Sequence, residues 1–493
     1  MHRSRVRLAA IAFAATSLAA CAKNPVTGKP QFELISEKQE IDMGRQQAQQ
    51  VAQTMGLVKD DALQAYVDRV GKAIAAKTER PKLPWTFRVV DDPTVNAFSL
   101  PGGFIFVTRG LITDMNDEAQ LAMVLGHEIG HATARHVVTQ MSKQEVAQLG
   151  LGLGMVLVPG AAQLGQLASA GLQVLFLKFS RDDERQADDL GFRYALKDGY
   201  NVRDAIQVFQ TLKRISDKEG GGKIPVWMET HPDPGSRIQT LTAKANQTKV
   251  DWSKLKVDRN QYLAQVNGVV YGENPRDGFV QGNTFMDPDL RFSFTFPSGW
   301  KIDNQAQAVV GVSPQQDAEI QVAPVPGSSP QEAAQQFASQ QGVQTKPLQG
   351  KCIASGTCLE FAGQTQQGDV QGYAGFVSQQ GKVLMIAAYA PSQSFGARSG
   401  DLESAMSGLH PLNDPKALSV QPAKVQLVTV DHPMTVAEFA SHFPSTVPPD
   451  EVALINGKQT SDSIPAGTQL KRVTGGTPAE DMKPQPQSPP AAG

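Results

Sequence analysis

Residues 116–134 read Asn116-Asp117-Glu118-Ala119-Gln120-Leu121-Ala122-Met123-Val124-Leu125-Gly126-His127-Glu128-Ile129-Gly130-His131-Ala132-Thr133-Ala134. Leu121, Leu125 and Ile129 recur every four residues, the spacing of a helical core stripe. Asn116 is the expected N-cap, with Asp117 and Glu118 in the first turn. On such a helix, positions four apart lie about 40° apart around the axis. His127 and His131 therefore project together and can hold one metal ion. Glu128 falls in the same third of the circumference, where it can reach an activated water without ligating the metal. Taken by themselves, these five residues also fit a buried histidine pair beside a surface glutamate, so the rest of the chain must decide.

A third ligand is required. His136 follows His131 by five residues and, on a continuous helix, points about 180° away from His127. The spacing also departs from the metzincin pattern, because Ala and Val occupy positions 134 and 137. Ser180-Arg181-Asp182-Asp183-Glu184-Arg185-Gln186-Ala187-Asp188 is the better source. Glu184 and Asp188 share a helical face, so Glu184 can be the third ligand and Asp188 can accept a hydrogen bond from a ligand histidine. Two histidines and a glutamate leave one zinc position open for water, as a catalytic site needs. A solvated charged face is the plain alternative for this run.

The combination resembles peptidase family M48, the HtpX-, BepA- and CAAX-prenyl-protease type of gluzincin, over roughly residues 24–245. Its matching pieces are Asn96-Ala97-Phe98-Ser99-Leu100-Pro101-Gly102-Gly103, the His127–His131 motif, the Glu184–Asp188 segment, and His231-Pro232-Asp233-Pro234-Gly235-Ser236-Arg237. The opening Asn24-Pro25-Val26-Thr27-Gly28 resembles lipoprotein members of that family. The resemblance implies a zinc metalloendopeptidase with one Zn2+ per chain and Glu128 as general base. It implies that Asn96, Phe98, Gly102 and Gly103 belong to a substrate-binding sheet edge. It also implies that His231 and Arg237 face the open side of the zinc as catalytic groups. In some periplasmic relatives the late histidine instead fills the fourth zinc position and holds the enzyme off.

The N-terminus fits export. Arg3, Arg5 and Arg7 precede a short apolar run, Leu8–Leu18, which ends at Leu18-Ala19-Ala20-Cys21. That pattern resembles a lipobox: a signal peptide at 1–20, an acylated Cys21, and a lipidated tether at 21–35. Ala22 after the cysteine resembles an outer-membrane address, on its periplasmic side. The remaining cysteines, Cys352 and Cys358, flank a five-residue turn, and in an oxidising periplasm they are expected to pair.

With 46 basic and 48 acidic residues in 493, no charge excess points to nucleic acid. The length suggests two to four domains. The expected fold class is α+β. A mainly helical catalytic domain with a small β-sheet spans 36–260, with strands at Phe87–Val90, Val95–Leu100 and Phe104–Thr108. A polar linker follows near Asn260–Gly282. An α+β accessory domain at 283–412, faintly resembling PsbP-like domains, carries Phe292, Phe294 and Phe296 on one strand face. A small βααβ module at 425–474 resembles LysM, a type that binds glycans such as peptidoglycan. The tail, 475–493, is rich in Pro and Gln and reads as disordered. Val146–Leu177 has no Asp, Glu, Lys or Arg; it is too short for two crossings of a bilayer, so a helical hairpin is expected, buried or touching the membrane surface. The expected role is cleavage of envelope proteins in periplasmic quality control or outer-membrane protein biogenesis. The competing reading is a self-inhibited chaperone-like or peptidoglycan-binding scaffold lipoprotein.

Overall fold

A computed structural model describes residues 21–150, 178–218, 230–231, 234–305, 307–365 and 368–476. The expected signal peptide at 1–20, most of the uncharged stretch at 151–177 and the tail beyond 476 lie outside the described residues. No helix among the described residues is long and apolar enough to cross a membrane. The chain divides into two compact units, one of residues 1–272 with 424–474 and the other of 273–423 with 475–493.

The first unit is built around the helix Glu118–Ala134, every residue of which is buried. Its N-cap is Asp117, whose side chain accepts from Gln120 N at 2.8 Å. Asn116, the expected cap, instead donates its backbone N–H to Gln120 Oε1. Leu121, Leu125 and Ile129 sit in the main core with Val67, Val70 and Ile74 of helix Asp61–Ala75.

The small sheet has the expected strands, with the last in sequence at its centre. Thr86–Val90 pairs in parallel with Phe104–Thr108, and Ala97–Leu100 pairs antiparallel on the other side of that central strand. Both faces of the central strand are covered, so it is apolar at four consecutive positions, Phe104 to Val107, whereas Thr86 and Arg88 of the first strand are only partly buried. Phe87, Val89, Ile105 and Val107 face the main core, while Val90, Phe98, Leu100, Phe104 and Phe106 pack with Val51 of helix Glu37–Thr54.

The segment 21–35 is held, not slack. Cys21–Lys23 pairs with Pro30–Phe32. The side-chain amides of Asn24 and Gln31 both donate to Ala134 O, at 3.3 and 3.2 Å. They satisfy a carbonyl that the end of the central helix leaves open. The polar stretch at 260–282 is not a simple linker either. Helix Arg259–Val266 buries Tyr262, Leu263 and Val266 in the main core, and the Tyr262 hydroxyl donates to Ile112 O at 2.6 Å.

Residues 424–474 keep the expected βααβ order, with strand Ala423–Thr429, helices Val436–His442 and Pro449–Ile455, and strand Gln469–Gly475. They are part of the first unit rather than a free module. Lys471 is fully buried, and its Nζ donates to Thr113 O and Met115 O, both at 2.7 Å. These carbonyls close the short helix Arg109–Asp114, just before the cap of the central helix. A cation is favoured at a helix C-terminus. Burial pulls the Lys471 amine below its ordinary value and pushes the neighbouring Asp114 carboxyl above its own. Arg259 and Arg214 add donations to Gln469 O and Lys458 O.

The second unit is an α+β fold. A seven-stranded antiparallel sheet carries helices Pro330–Ala338 and Phe395–Ala405, and a four-stranded sheet holds Phe292–Thr295. Phe292, Phe294 and Phe296 are buried together, as their alternation requires. Cys352 and Cys358 are joined, S–S 2.07 Å.

Replacing Lys471 by Met leaves two buried carbonyls without a donor, at a cost of about 2–4 kcal/mol. In calorimetry the transition of the first unit is expected to fall in temperature, with that of the second unit unmoved.

Candidate metal centre

Two helices make the centre, and small residues set their separation. Helix Arg181–Lys197 starts at Ser180, whose side chain and Asp183 form a capping box. It lies against the central helix where Gly126 and Gly130 meet Ala187 and Gly191. A Cβ on Gly130 would come 3.0 Å from Ala187 O, and one on Gly191 would come 2.8 Å from His127 N. The backbones therefore touch, and Glu184 and Asp188 reach the histidines without long side chains.

His127, His131, Glu184 and His231 are all buried and bring one donor atom each within 4.8 Å of one another. His131 Nε2 is 3.1 Å from His127 Nε2, and His127 Nε2 is 3.4 Å from His231 Nδ1. Glu184 Oε1 is 2.8 Å from His231 Nδ1 and 3.4 Å from His131 Nε2. Tetrahedral zinc with nitrogen and oxygen donors has donor–donor edges of about 3.3 Å. The spacings found here lie near those edges, and three imidazole nitrogens with one carboxylate oxygen are a donor set that zinc takes, so the residues fit zinc. Burial and the neighbouring Arg237 push the His127 ring down to about 3, keeping it neutral as a ligand must be. Burial works to raise the Glu184 carboxyl, but the rings of His231, His131 and His127 outweigh it and hold the group below the usual carboxylate range.

Asp188 Oδ1 lies 2.9 Å from His127 Nδ1, as expected of the partner of a ligand histidine. Arg237 is placed differently from expectation. Its Nε and Nη2 donate to the two Asp188 oxygens at 2.8 and 2.6 Å, and its Nη1 is 3.2 Å from Glu184 Oε2. The guanidinium, seated over the Phe209 ring, thus stands behind the carboxylates and supports them. Of the two positions expected for His231, its Nδ1 lies in the second, as the fourth of the converging donors. Phe179 stacks on the His231 ring, centroids 5.5 Å apart, and lies 4.0 Å from that of His131. Nothing in the spacing of the sequence pointed to Phe179.

Glu128 is buried beside the donors, with Oε1 3.7 Å from His231 Nε2 and without a hydrogen-bond partner among the described residues. Burial pushes its carboxyl up to about 7, a rise that the His131 ring opposes. Strand Ala97–Leu100 is a sheet edge, as expected, but all four of its residues are buried. Asn96 Oδ1 and Ser99 Oγ are further buried atoms without a partner among the described residues. Phe98 turns away to stack on Phe106. Gly102 and Gly103, at φ 80° and 94°, make the turn into the central strand. A Cβ on Gly102 would lie 2.7 Å from Ile41 Cα, so backbone packing accounts for this glycine without a ligand.

Comparison with known proteins places these residues in a wider set. Residues 61–245 match the model of peptidase family M48. The chain is 30% identical over 234 residues to the beta-barrel assembly-enhancing protease of Yersinia pestis, covering 46% of this chain and 48% of that one. It is 27% identical over 235 residues to the Escherichia coli protein of that name, covering 46% and 47%. It is 34% identical over 193 residues to the mitochondrial metalloendopeptidase OMA1 of Arabidopsis thaliana, covering 38% and 37%. The chain thus spans about half the length, or less, of these curated relatives. Cyanobacterial PsbP from Synechocystis aligns with 26% of this chain and 91% of its own, at 14% identity and a TM-score of 0.21.

A side chain on Gly191 must push the two helices apart. Gly191→Val is expected to weaken zinc binding at least tenfold in competition with a chromophoric chelator, while far-ultraviolet circular dichroism keeps its helical signal.

Proposed function

Residues 61–245 belong to peptidase family M48, and from that premise we propose that the chain is a zinc-dependent endopeptidase of the bacterial envelope. The observation that carries the reading is the buried set of His127, His131, Glu184 and His231 beside the buried carboxylate of Glu128, whose Oε1 has no hydrogen-bond partner among the described residues. Zinc in this set would polarise a scissile carbonyl and activate water. Glu128 takes the proton from the attacking water and returns it to the leaving amine. Asp188 fixes the His127 ring by its contact with Nδ1. Arg237 offsets the charge of the two helix carboxylates that it joins.

His231 is a stopper in this reading. A catalytic zinc needs an open position, and the His231 ring occupies it, held by Phe179. Water and peptide enter once that ring withdraws. The peptide then adds to the edge strand Ala97–Leu100, through main-chain hydrogen bonds that ignore side-chain identity.

The substrates proposed are proteins of the outer membrane and periplasm, in quality control or outer-membrane protein assembly; the names of the beta-barrel assembly-enhancing relatives support this. The lipobox-like Leu18–Cys21 supports a lipid anchor on the periplasmic side of the outer membrane. Peptidoglycan is a further proposed contact, through residues 424–474. The stopper also favours a second reading, a scaffold or chaperone-like lipoprotein whose site stays closed.

Casein hydrolysis by the purified chain separates the two. Glu128→Gln and chelation are each expected to remove at least 100-fold of the rate, and His231→Ala to raise it severalfold above wild type. Hydrolysis indifferent to chelator and to Glu128→Gln rejects the peptidase. A His231→Ala chain that binds zinc and cuts nothing favours the scaffold. In cells, Cys21→Ser is expected to move the protein from the membrane fraction to the soluble periplasm.

A further inference from the structure

The central helix stops at Ala134 because Arg135 takes the left-handed conformation, φ 62°. A non-glycine residue holds that conformation at a cost, and surrounding contacts must enforce it. Here Arg135 Nε donates to Glu40 at 2.9 Å, Nη1 pairs with Glu33, and Nη2 donates to Ile35 O at 2.8 Å. The reversal starts helix His136–Gly150 beside the last turn of the central helix instead of extending it.

His136 is thereby brought back to the metal centre. It is buried, and its Nδ1 lies 3.0 Å from His131 Nδ1. Its Nε2 lies 2.9 Å from Gln186 Oε1, on the same helix as Glu184, while Asp183 Oδ1 is farther, at 3.7 Å. An amide oxygen only accepts, so the proton of His136 sits on Nε2. A neutral imidazole carries a single ring proton, so Nδ1 of His136 accepts and Nδ1 of His131 donates. The lone pair of His131 is then left on Nε2, the atom that meets His127 and Glu184. The opposite polarity, with the Gln186 amide turned over, would protonate the very nitrogen that faces the ion.

We infer that His136 and Gln186 form a positioning relay that locks the metal ligand His131 in its Nδ1–H tautomer. It does for the second ligand what Asp188 does for the first, with neutral groups in place of a carboxylate. The inference rests on the zinc-peptidase reading and goes beyond it, because neither residue touches the donor set except through His131.

The test uses the full chain and reads metal affinity rather than turnover. Zinc affinity is measured by competition with a chromophoric chelator, and geometry by the visible spectrum of the cobalt-substituted protein. His136→Phe and Gln186→Leu each break the relay and are expected to weaken zinc 10–100-fold, with a changed cobalt spectrum. Gln186→Glu keeps an acceptor for His136 Nε2–H and is expected to stay within about threefold of wild type. That contrast separates positioning from packing. Zinc affinity unchanged in His136→Phe, or lost equally in the Leu and Glu variants of Gln186, would overturn the relay. Should His136→Phe not fold, the two Gln186 variants, at a half-buried position, decide it. A wild-type chain that takes up no zinc overturns the peptidase reading and the relay together. Zinc bound by wild type but indifferent to the relay variants overturns the relay alone.

Discussion

The contact of two helix backbones through Gly126, Gly130, Ala187 and Gly191 is the constraint on which the centre depends. Side chains on these positions would separate the helices that supply His127 and His131 on one side and Glu184 and Asp188 on the other. Close packing of this kind is unforgiving, since interiors have the density of crystals and absorb little displacement. A shift of an ångström would turn donor distances near 3.3 Å, the edge of a zinc tetrahedron, into a loose group of polar residues. The glycines flanking the histidines are therefore as much a part of the centre as the ligands.

Burial then makes the charge balance demanding. Glu184, Asp188 and Arg237 are all nearly inaccessible to water. An isolated charge there would be costly. Arg237 answers both carboxylates at once, and a dication among the four donors would balance the remaining negative charge together with that of the Glu128 carboxylate. The Asp188–His127 and Gln186–His136–His131 contacts orient the rings before any ion arrives. Phe179 and His231 add an apolar cover on the remaining side. The result is a preorganised and closed pocket, with the His231 ring packed between Phe179 and the other donors.

What could be read from the residues follows how local each signal is. His127, Glu128 and His131 lie about one helical turn apart, as do Glu184 and Asp188, so helix periodicity puts each set on one face, and the family resemblance joins the two sets in one centre. The strands at 86–108 were equally legible as strands. Their order was not, because alternation says nothing about which neighbour a strand pairs with. His136 was misplaced by assuming a continuous helix; the left-handed turn at Arg135 depends on Glu33 and Glu40, about a hundred residues away. Arg237 was recognised through its family resemblance, but its direction is set by Asp188, a tertiary partner no spacing rule reaches. The segments 21–35 and 260–272 look like tether and linker by composition. Asn24, Gln31 and Tyr262 each place a few polar or aromatic atoms on the core, too sparse a pattern to register as periodicity.

The burial of Lys471 against the carbonyls of Thr113 and Met115 has a temporal meaning. More than 150 residues of another unit are threaded between the two parts of the first. A nascent chain cannot make that contact until 358 further residues have followed Thr113. The support under the start of the central helix thus comes from a strand made long after the helix itself. A chain made only as far as the His127–His131 motif therefore lacks the strand that steadies it, and the centre gains that support only once Lys471 has been added.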